Sequence, residues 1–333
     1  MKERVAPRQS SVLTVGVIVT TCNSSAFLDR ALASISLQDR LPDEVLLVDD
    51  GSTDDTVAVS EDWASRQSFT VRLLDNAFPH HPLAGRGPAP SKNTALAVAT
   101  TDLVALLDHD DEMLPSHIRR TASALEQHGD VELCFGDAIE CWPDGRTRPM
   151  LDDAPGLQAL PYEERSDNLR VVDSSFVTAM LPGSRIPTAA NMWRRTSALG
   201  IGGFSARVSG ADDWLFFLSL SRRGRVAYLP EPIARKHTHA SNMGHPQNAL
   251  RTNWNCFDAM SLFLETPETW SLQPSEIAAI SRRRAELATE VCWTASAQGV
   301  SPLVAAYQRL PAGLRPHARD WLRALRATLT RST

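Results

Sequence analysis

"LVALLDHDDEML", residues 103–114, is the stretch on which the reading of this chain turns. Five apolar residues, 103–107, run straight into Asp108, His109, Asp110 and Asp111. A short apolar run bounded by polar residues fits a strand buried on both faces. Three carboxylates at the end of such a strand repel one another. The arrangement calls for something positive beside them.

The same pattern repeats toward the N-terminus. "LTVGVIVTT" (13–21) is a continuous apolar, β-branched run, and "SSAFLDRALASISLQ" (24–38) follows with apolar residues at helical spacing and Ser24 or Ser25 to cap it. "DEVLLVDDGS" (43–52) reads as a second buried strand ending in acid and glycine, and "STDDTVAVSEDWASR" (52–66) as a helix with an acidic first turn. "FTVRLLDN" (69–76) makes a third strand and "SKNTALAVATT" (91–101) a short helix before the quoted stretch. This alternation predicts an α/β fold with a parallel, doubly wound sheet. Ligands of such sheets bind beyond the carboxyl ends of the strands, which marks residues 21–23, 49–52, Asn76 and 108–111. The proline-rich "AFPHHPLAGRGPAP" (77–90) is a loop, either a surface connector or a substrate lid.

Downstream, residues 116–128 predict a helix and 131–142 strands. Residues 189–204 predict strand, short helix and turn, and 209–224 a strongly apolar helix with acid at its start. Residues 225–242 read as strand, turn, strand, and 247–265, 275–294 and 301–330 as helical, while 143–175 carry no clear pattern. The net charge of −5 over 333 residues gives no footprint for nucleic acid. No apolar run approaches the roughly 18 to 20 residues of a membrane span, and no signal-peptide core follows "MKERVAPRQSS". Five cysteines without a CxxC pair suit reduced thiols in a cytoplasm.

An Asp-x-Asp at a strand end can hold Mg²⁺ or Mn²⁺, whose usual shell is one or two carboxylates plus substrate phosphates. The competing use of Asp110 and Asp111 is to cap a helix over "EMLPSHIRR". The two uses cannot be told apart on this motif alone.

Four blocks in series carry more. "VTTCNSSAFLDRALASI", "VLLVDDGSTDDT", "SKNTALAVATTDLVALLDHDD" and "GGFSARVSGADDWLFFLSLSRRGRVAYLPEP" together resemble the family-2-type glycosyltransferases of GT-A fold, over residues 12–245. The resemblance implies a Rossmann-like, mostly parallel sheet, a nucleotide-sugar half (12–111), an acceptor half (112–245) and a helical C-terminal extension (246–333). It implies a nucleotide-diphosphate sugar donor, UDP-sugar favoured, and a divalent cation as the positive partner of the acids. Thr21, Asp49 and Asp50 would sit at the nucleoside, with Asp50 at the base or ribose. Asp108 would lie near the ribose and Asp110 would ligate the metal.

Lys92 stands where the family commonly has Arg and can meet the diphosphate as a point charge rather than a fork. Ala95 stands where the family usually has Gly. The pair Asp212–Asp213 would contain the base of an inverting displacement, with Asp213 favoured. The competing use of that pair is charge at a helix N-terminus. Of the two histidines in "RKHTHASNM", His239 rather than His237 would complete the metal shell. Trp193 and Trp214 line the sugar or acceptor site or belong to the core.

The acceptor, whether glycan precursor, peptide, protein or natural product, is not legible. A nucleotidyltransferase would need a Gly-rich loop after strand one, where this chain has "TTCNSSAFL". A non-catalytic relative would lack the acids. In the tail, 314–331 is a basic amphipathic helix, with Arg315, Arg319, Arg323 and Arg326 near one face. It can pack on the catalytic domain, on a second subunit or on an anionic membrane.

Overall fold

The structure, a computed structural model, describes residues 12–76 and 87–331 apart from 174, 182, 184, 185, 209, 241, 243, 244, 266, 268 and 269. Most of the loop expected over 77–90 thus lies outside the described residues.

The strands are β1 (Val15–Thr21), β2 (Glu44–Asp49), β3 (Thr70–Asp75), β4 (Leu103–Asp108), β5 (Glu112–Met113), β6 (Val131–Cys141), β7 (Thr147–Pro149), β8 (Glu163–Arg165), β9 (Leu169–Val172), β10 (Asn191–Arg194) and β11 (Arg225–His237). The helices are α1 (Ser25–Ser36), α2 (Thr56–Ala64), α3 (Pro88–Val98), α4 (His117–Gln127), α5 (Pro155–Gln158), α6 (Ser175–Met180), α7 (Arg195–Gly200), α8 (Asp212–Leu220), α9 (Ala249–Glu265), α10 (Pro274–Gln298), α11 (Val300–Arg309) and α12 (Ala318–Arg331).

One sheet runs in the order β3-β2-β1-β4-β10-β6-β11-β9-β8, with β5 on β11 and β7 on β6. β1 to β4 are parallel throughout, β10 enters antiparallel between β4 and β6, and β11 again runs parallel to β6. Strand alternation supplies both faces. In β1, Val15, Val17 and Val19 join the core under α1, α2 and α4, while Ile18 points to the other core with Val104 and Leu106 of β4. That second core holds Trp193, Phe204, Phe216 and Phe217. It also takes in Phe257, Met260, Ile280 and Leu287 of the C-terminal helices, so those helices share a core with the sheet. Trp193 and Trp214 are both buried, Trp193 among aromatic rings and Trp214 with its Nε1 donating to the Met180 carbonyl at 2.8 Å. They are core residues.

Three local expectations change. Residues 112–113 form a strand paired with Ala234 and Arg235, and the helix starts only at His117, past Pro115. Asp110 and Asp111 therefore cap no helix. The segment 225–242 is one long strand to His237, with register shifts across Leu229–Ala234 where Pro230 and Pro232 cannot supply ladder donors. The final helical pattern is broken between α11 and α12, because Pro311 and Pro316 interrupt it. Among the described residues no helix is long and apolar enough to cross a membrane.

Candidate active site

The parallel register aligns the strand ends. Thr21 of β1 pairs with Asp49 of β2, and Thr20 with Asp108 of β4. The chain leaves β2 through a turn that Asp49 organises. Its carboxylate accepts from the amides of Gly51 at 3.1 Å and Ser52 at 2.9 Å, from Ser52 Oγ at 2.5 Å and from Thr21 Oγ1 at 3.3 Å. Gly51, at φ 80°, takes the left-handed step this turn requires. Asp50 ties three elements together. Oδ1 accepts from Asn76 Nδ2 at 2.7 Å and Oδ2 from the Gly87 amide at 2.7 Å, at the start of α3. Each oxygen keeps a further lone pair.

At the end of β4 the carboxylate oxygens of Asp108, Asp110 and Asp111 lie within 4.8 Å of one another. Asp110 and Asp111 are buried. β11 brings its end to the same place. His239 Nε2 lies 2.9 Å from Asp110 Oδ2, Asn242 Nδ2 donates to the same oxygen at 2.8 Å, and the His237 amide donates to Asp111 at 2.9 Å. The His239 ring stacks on Phe27 at 4.3 Å between centroids, and its buried Nδ1 has no hydrogen-bond partner among the described residues. His237 turns away to Glu112 at 2.5 Å, so His239 is the one that meets the acids. Burial pushes the Asp108 carboxyl above its ordinary range, with Asp110 adding repulsion and Lys92 and Lys236 opposing it. Asp111 is pushed well up by burial and by the charges of Asp108 and Asp110.

Two lysines answer these charges. Lys92 of α3 is buried, with Nζ 2.9 Å from Asp212 Oδ2 and 5.2 Å from the centre of the Phe204 ring. Burial opposes its charge, but Asp212, Asp108 and Asp213 together outweigh burial and hold the ammonium above the usual lysine range. Lys236 of β11 is held up in the same way, against burial, by Asp111, Asp108, Asp213 and Asp110. Sequence reading passed over Lys236, Asn242 and Phe27. Position gave a usable signal only for Asn242, three residues after His239.

α8 presents the remaining acids at its first turn. Asp212 is buried against Lys92, whereas Asp213 is half-buried. Asp213 Oδ1 accepts from the Trp214 amide at 2.8 Å and Oδ2 from Thr188 Oγ1 at 3.4 Å. Burial, and then the charge of Asp212, raises the Asp213 carboxyl above its ordinary range, with Lys92 opposing. Across the site, Asn93 clamps the loop before α8 by exchanging two hydrogen bonds of 2.8 Å with the Phe204 backbone.

Hard oxygen donors with one imidazole beside them suit Mn²⁺ or Mg²⁺, and the three carboxylates and His239 fit that donor set.

Residues 16–181 match the family model "Glycosyl transferase family 2". The chain is 25% identical over 222 residues to the uncharacterized glycosyltransferase YwdF of Bacillus subtilis (strain 168), which covers 66% of this chain and 72% of that protein. In fold it is similar to S. aureus TarS 1-349 in complex with UDP-GlcNAc, with a TM-score of 0.60 and 18% identity over 91% of this chain and 83% of that one. It is also similar to the mannosyltransferase PcManGT from Pyrobaculum calidifontis in complex with GDP-Man and Mn²⁺. There the TM-score is 0.55, with 21% identity over 93% of this chain and 79% of that one. The chain belongs to glycosyltransferase family 2 and is a glycosyltransferase of GT-A fold.

Proposed function

We propose that this enzyme moves a sugar from a nucleotide-diphosphate donor, a UDP-sugar first, to an acceptor hydroxyl by a single inverting displacement. The observation that carries the reading is the meeting, beyond the strand ends, of Asp108, Asp110, Asp111 and His239 with the Lys92–Asp212 pair and Asp213. Asp110, with Asp108 and His239, would hold a divalent cation, Mn²⁺ or Mg²⁺, which supplies Lewis-acid stabilisation of the leaving diphosphate. TarS with UDP-GlcNAc and the mannosyltransferase with GDP-Man and Mn²⁺ support that choice of donor class and metal.

The nucleoside would lie along Thr21, Asp49 and Asp50, with the free lone pairs of Asp50 toward it. Lys92 and Lys236 bring positive charge to the diphosphate side. Asp213, open to the site and less acidic than an ordinary carboxylic acid, takes the proton from the acceptor hydroxyl as its oxygen bonds to the anomeric carbon. The bond from that carbon to the diphosphate oxygen breaks, and the electron pair leaves with the nucleoside diphosphate. Residues 12–245 would form the catalytic domain and 246–333 the extension. The cysteines, all free, suit a reducing cytoplasm.

The test is a thermal-shift panel of UDP-, GDP- and dTDP-sugars with and without Mn²⁺. A UDP-sugar that raises Tm only with metal is expected. If no nucleotide sugar shifts Tm with metal present, the reading fails.

A further inference from the structure

α12 packs on α10 and α11 through one face only. Ala324 is fully buried there and Asp320 nearly so. On the opposite face Leu322, Leu325 and Leu329 are 62%, 53% and 68% exposed. They follow the i, i+3, i+7 spacing of an apolar stripe that a soluble helix would turn inward. Arg319 and Arg326 are exposed along one edge of this stripe. Arg319 is 72% exposed, with only a 3.9 Å contact to Asp320, and Arg326 makes no ion pair among the described residues. Beside them Arg323 lies over the ring of Trp293, itself 58% exposed.

We propose that this face of α12 is a docking surface for an anionic lipid bilayer, with the leucines entering the headgroup boundary and the arginines meeting lipid phosphates. Charge selects this occupant. Residues 312–331 carry five arginines and one aspartate on a chain whose net charge is −5. An anionic surface therefore attracts this helix while repelling much of the rest of the protein, which orients the molecule as well as binding it. A second copy fits less well. Antiparallel pairing of two α12 faces around a two-fold axis brings each row of arginines against its own copy.

Contacts away from the leucine face also link α12 to the catalytic side. Gln298 lines a groove that reaches Val304 and Thr328 and another that reaches Trp254 and Asn248, and Asn248 donates to the carbonyl of Asn242, the Asp110 partner, at 2.7 Å.

The experiment is co-sedimentation of the full chain with phosphatidylcholine vesicles, with and without phosphatidylglycerol, beside its mass in solution by light scattering. Binding to the phosphatidylglycerol vesicles should be about tenfold or more stronger than to neutral ones, and should weaken with salt. Leu322→Gln, Leu325→Gln and Leu329→Gln combined should abolish it with Tm unchanged. Arg319→Gln with Arg326→Gln should remove the preference for anionic lipid. Equal partition onto both vesicle types, binding unchanged by the leucine variant, or no vesicle binding with a dimer that the leucine variant dissociates would each overturn the proposal.

Discussion

The ammonium nitrogen of Lys92 stands 2.9 Å from a carboxylate oxygen of Asp212, both side chains buried, joining α3 to α8 across 120 residues of chain. This contact fixes the distance between the half of the sheet that ends in Asp49 and Asp108 and the helix that carries Asp213.

Removing one partner of a buried pair leaves the other uncompensated, at a cost of about 3–5 kcal/mol. Lys92→Met should lower the urea midpoint accordingly. The double variant Lys92→Met/Asp212→Leu should recover much of the loss. Additive losses in this cycle would show that the two side chains do not act as a pair.

At the acid cluster, Asp110→Asn should abolish Mn²⁺-dependent stabilisation by a nucleotide sugar. Asp111→Asn behaves differently. It keeps an oxygen for the His237 amide and removes one of three crowded charges. The metal-free protein should therefore gain about 1 kcal/mol of stability while binding Mn²⁺ more weakly. Calorimetry with and without Mn²⁺ reads both, and a destabilised metal-free Asp111→Asn protein contradicts the account.

Asp213→Asn should leave Tm and donor affinity near wild type and lower turnover by roughly 10²–10⁴. Asp212→Asn should lose stability first, because it strips Lys92 of its counter-charge. Transfer rates measured beside donor affinity separate the two. Wild-type turnover in Asp213→Asn removes it as the base.

His117 on α4 is fully buried, with Nε2 3.2 Å from the Asn191 carbonyl, and burial lowers its pKa to about 4. Between that value and the usual 6.5 of the unfolded chain, only the unfolded state binds the proton. Stability should therefore rise with pH across this window and fall on acidification, by about 3 kcal/mol in all. A His117→Gln variant should flatten that branch of the stability–pH curve. An unchanged slope would assign it to other groups.

Gly203 adopts φ 74°, and a Cβ there would fall inside contact distance of Asn93 Oδ1. Gly203→Ala should cost about 1–3 kcal/mol and release the clamp on Phe204. A neutral effect in thermal unfolding would show that the loop can relax.

The N-terminal part of the sheet was legible because its strands β1, β2 and β4 are buried on both faces. Continuous apolar runs ending in Thr21, Asp49 and Asp108 announce both the elements and the rim. What lay between distant segments was not legible. Nothing local tells that Lys92 finds Asp212, or that Lys236, one charge in a polar run, turns toward four carboxylates. β8 escaped notice because it is a three-residue edge strand, Glu163–Arg165, with no apolar residue, and β9 because the four residues Leu169–Val172 are too short a run within a polar stretch to show a period. Asp49 and Asp50 were recognised as important, but their hydrogen bonds to the turn at Ser52 and to α3 depend on backbone amides that a side-chain pattern does not show.

The loops after β1 and β2 are laced to each other. The Asn23 amide donates to Ser52 Oγ at 2.8 Å, the Thr53 amide to Asn23 Oδ1 at 2.8 Å, the Ser24 amide to Thr56 Oγ1 at 2.7 Å, and Ser25 Oγ to Asp54 at 2.7 Å. Their conformational entropy is thus lost when the chain folds. With the nucleoside placed here as proposed, a rigid cradle of this kind would favour fast, lightly penalised docking over induced closure.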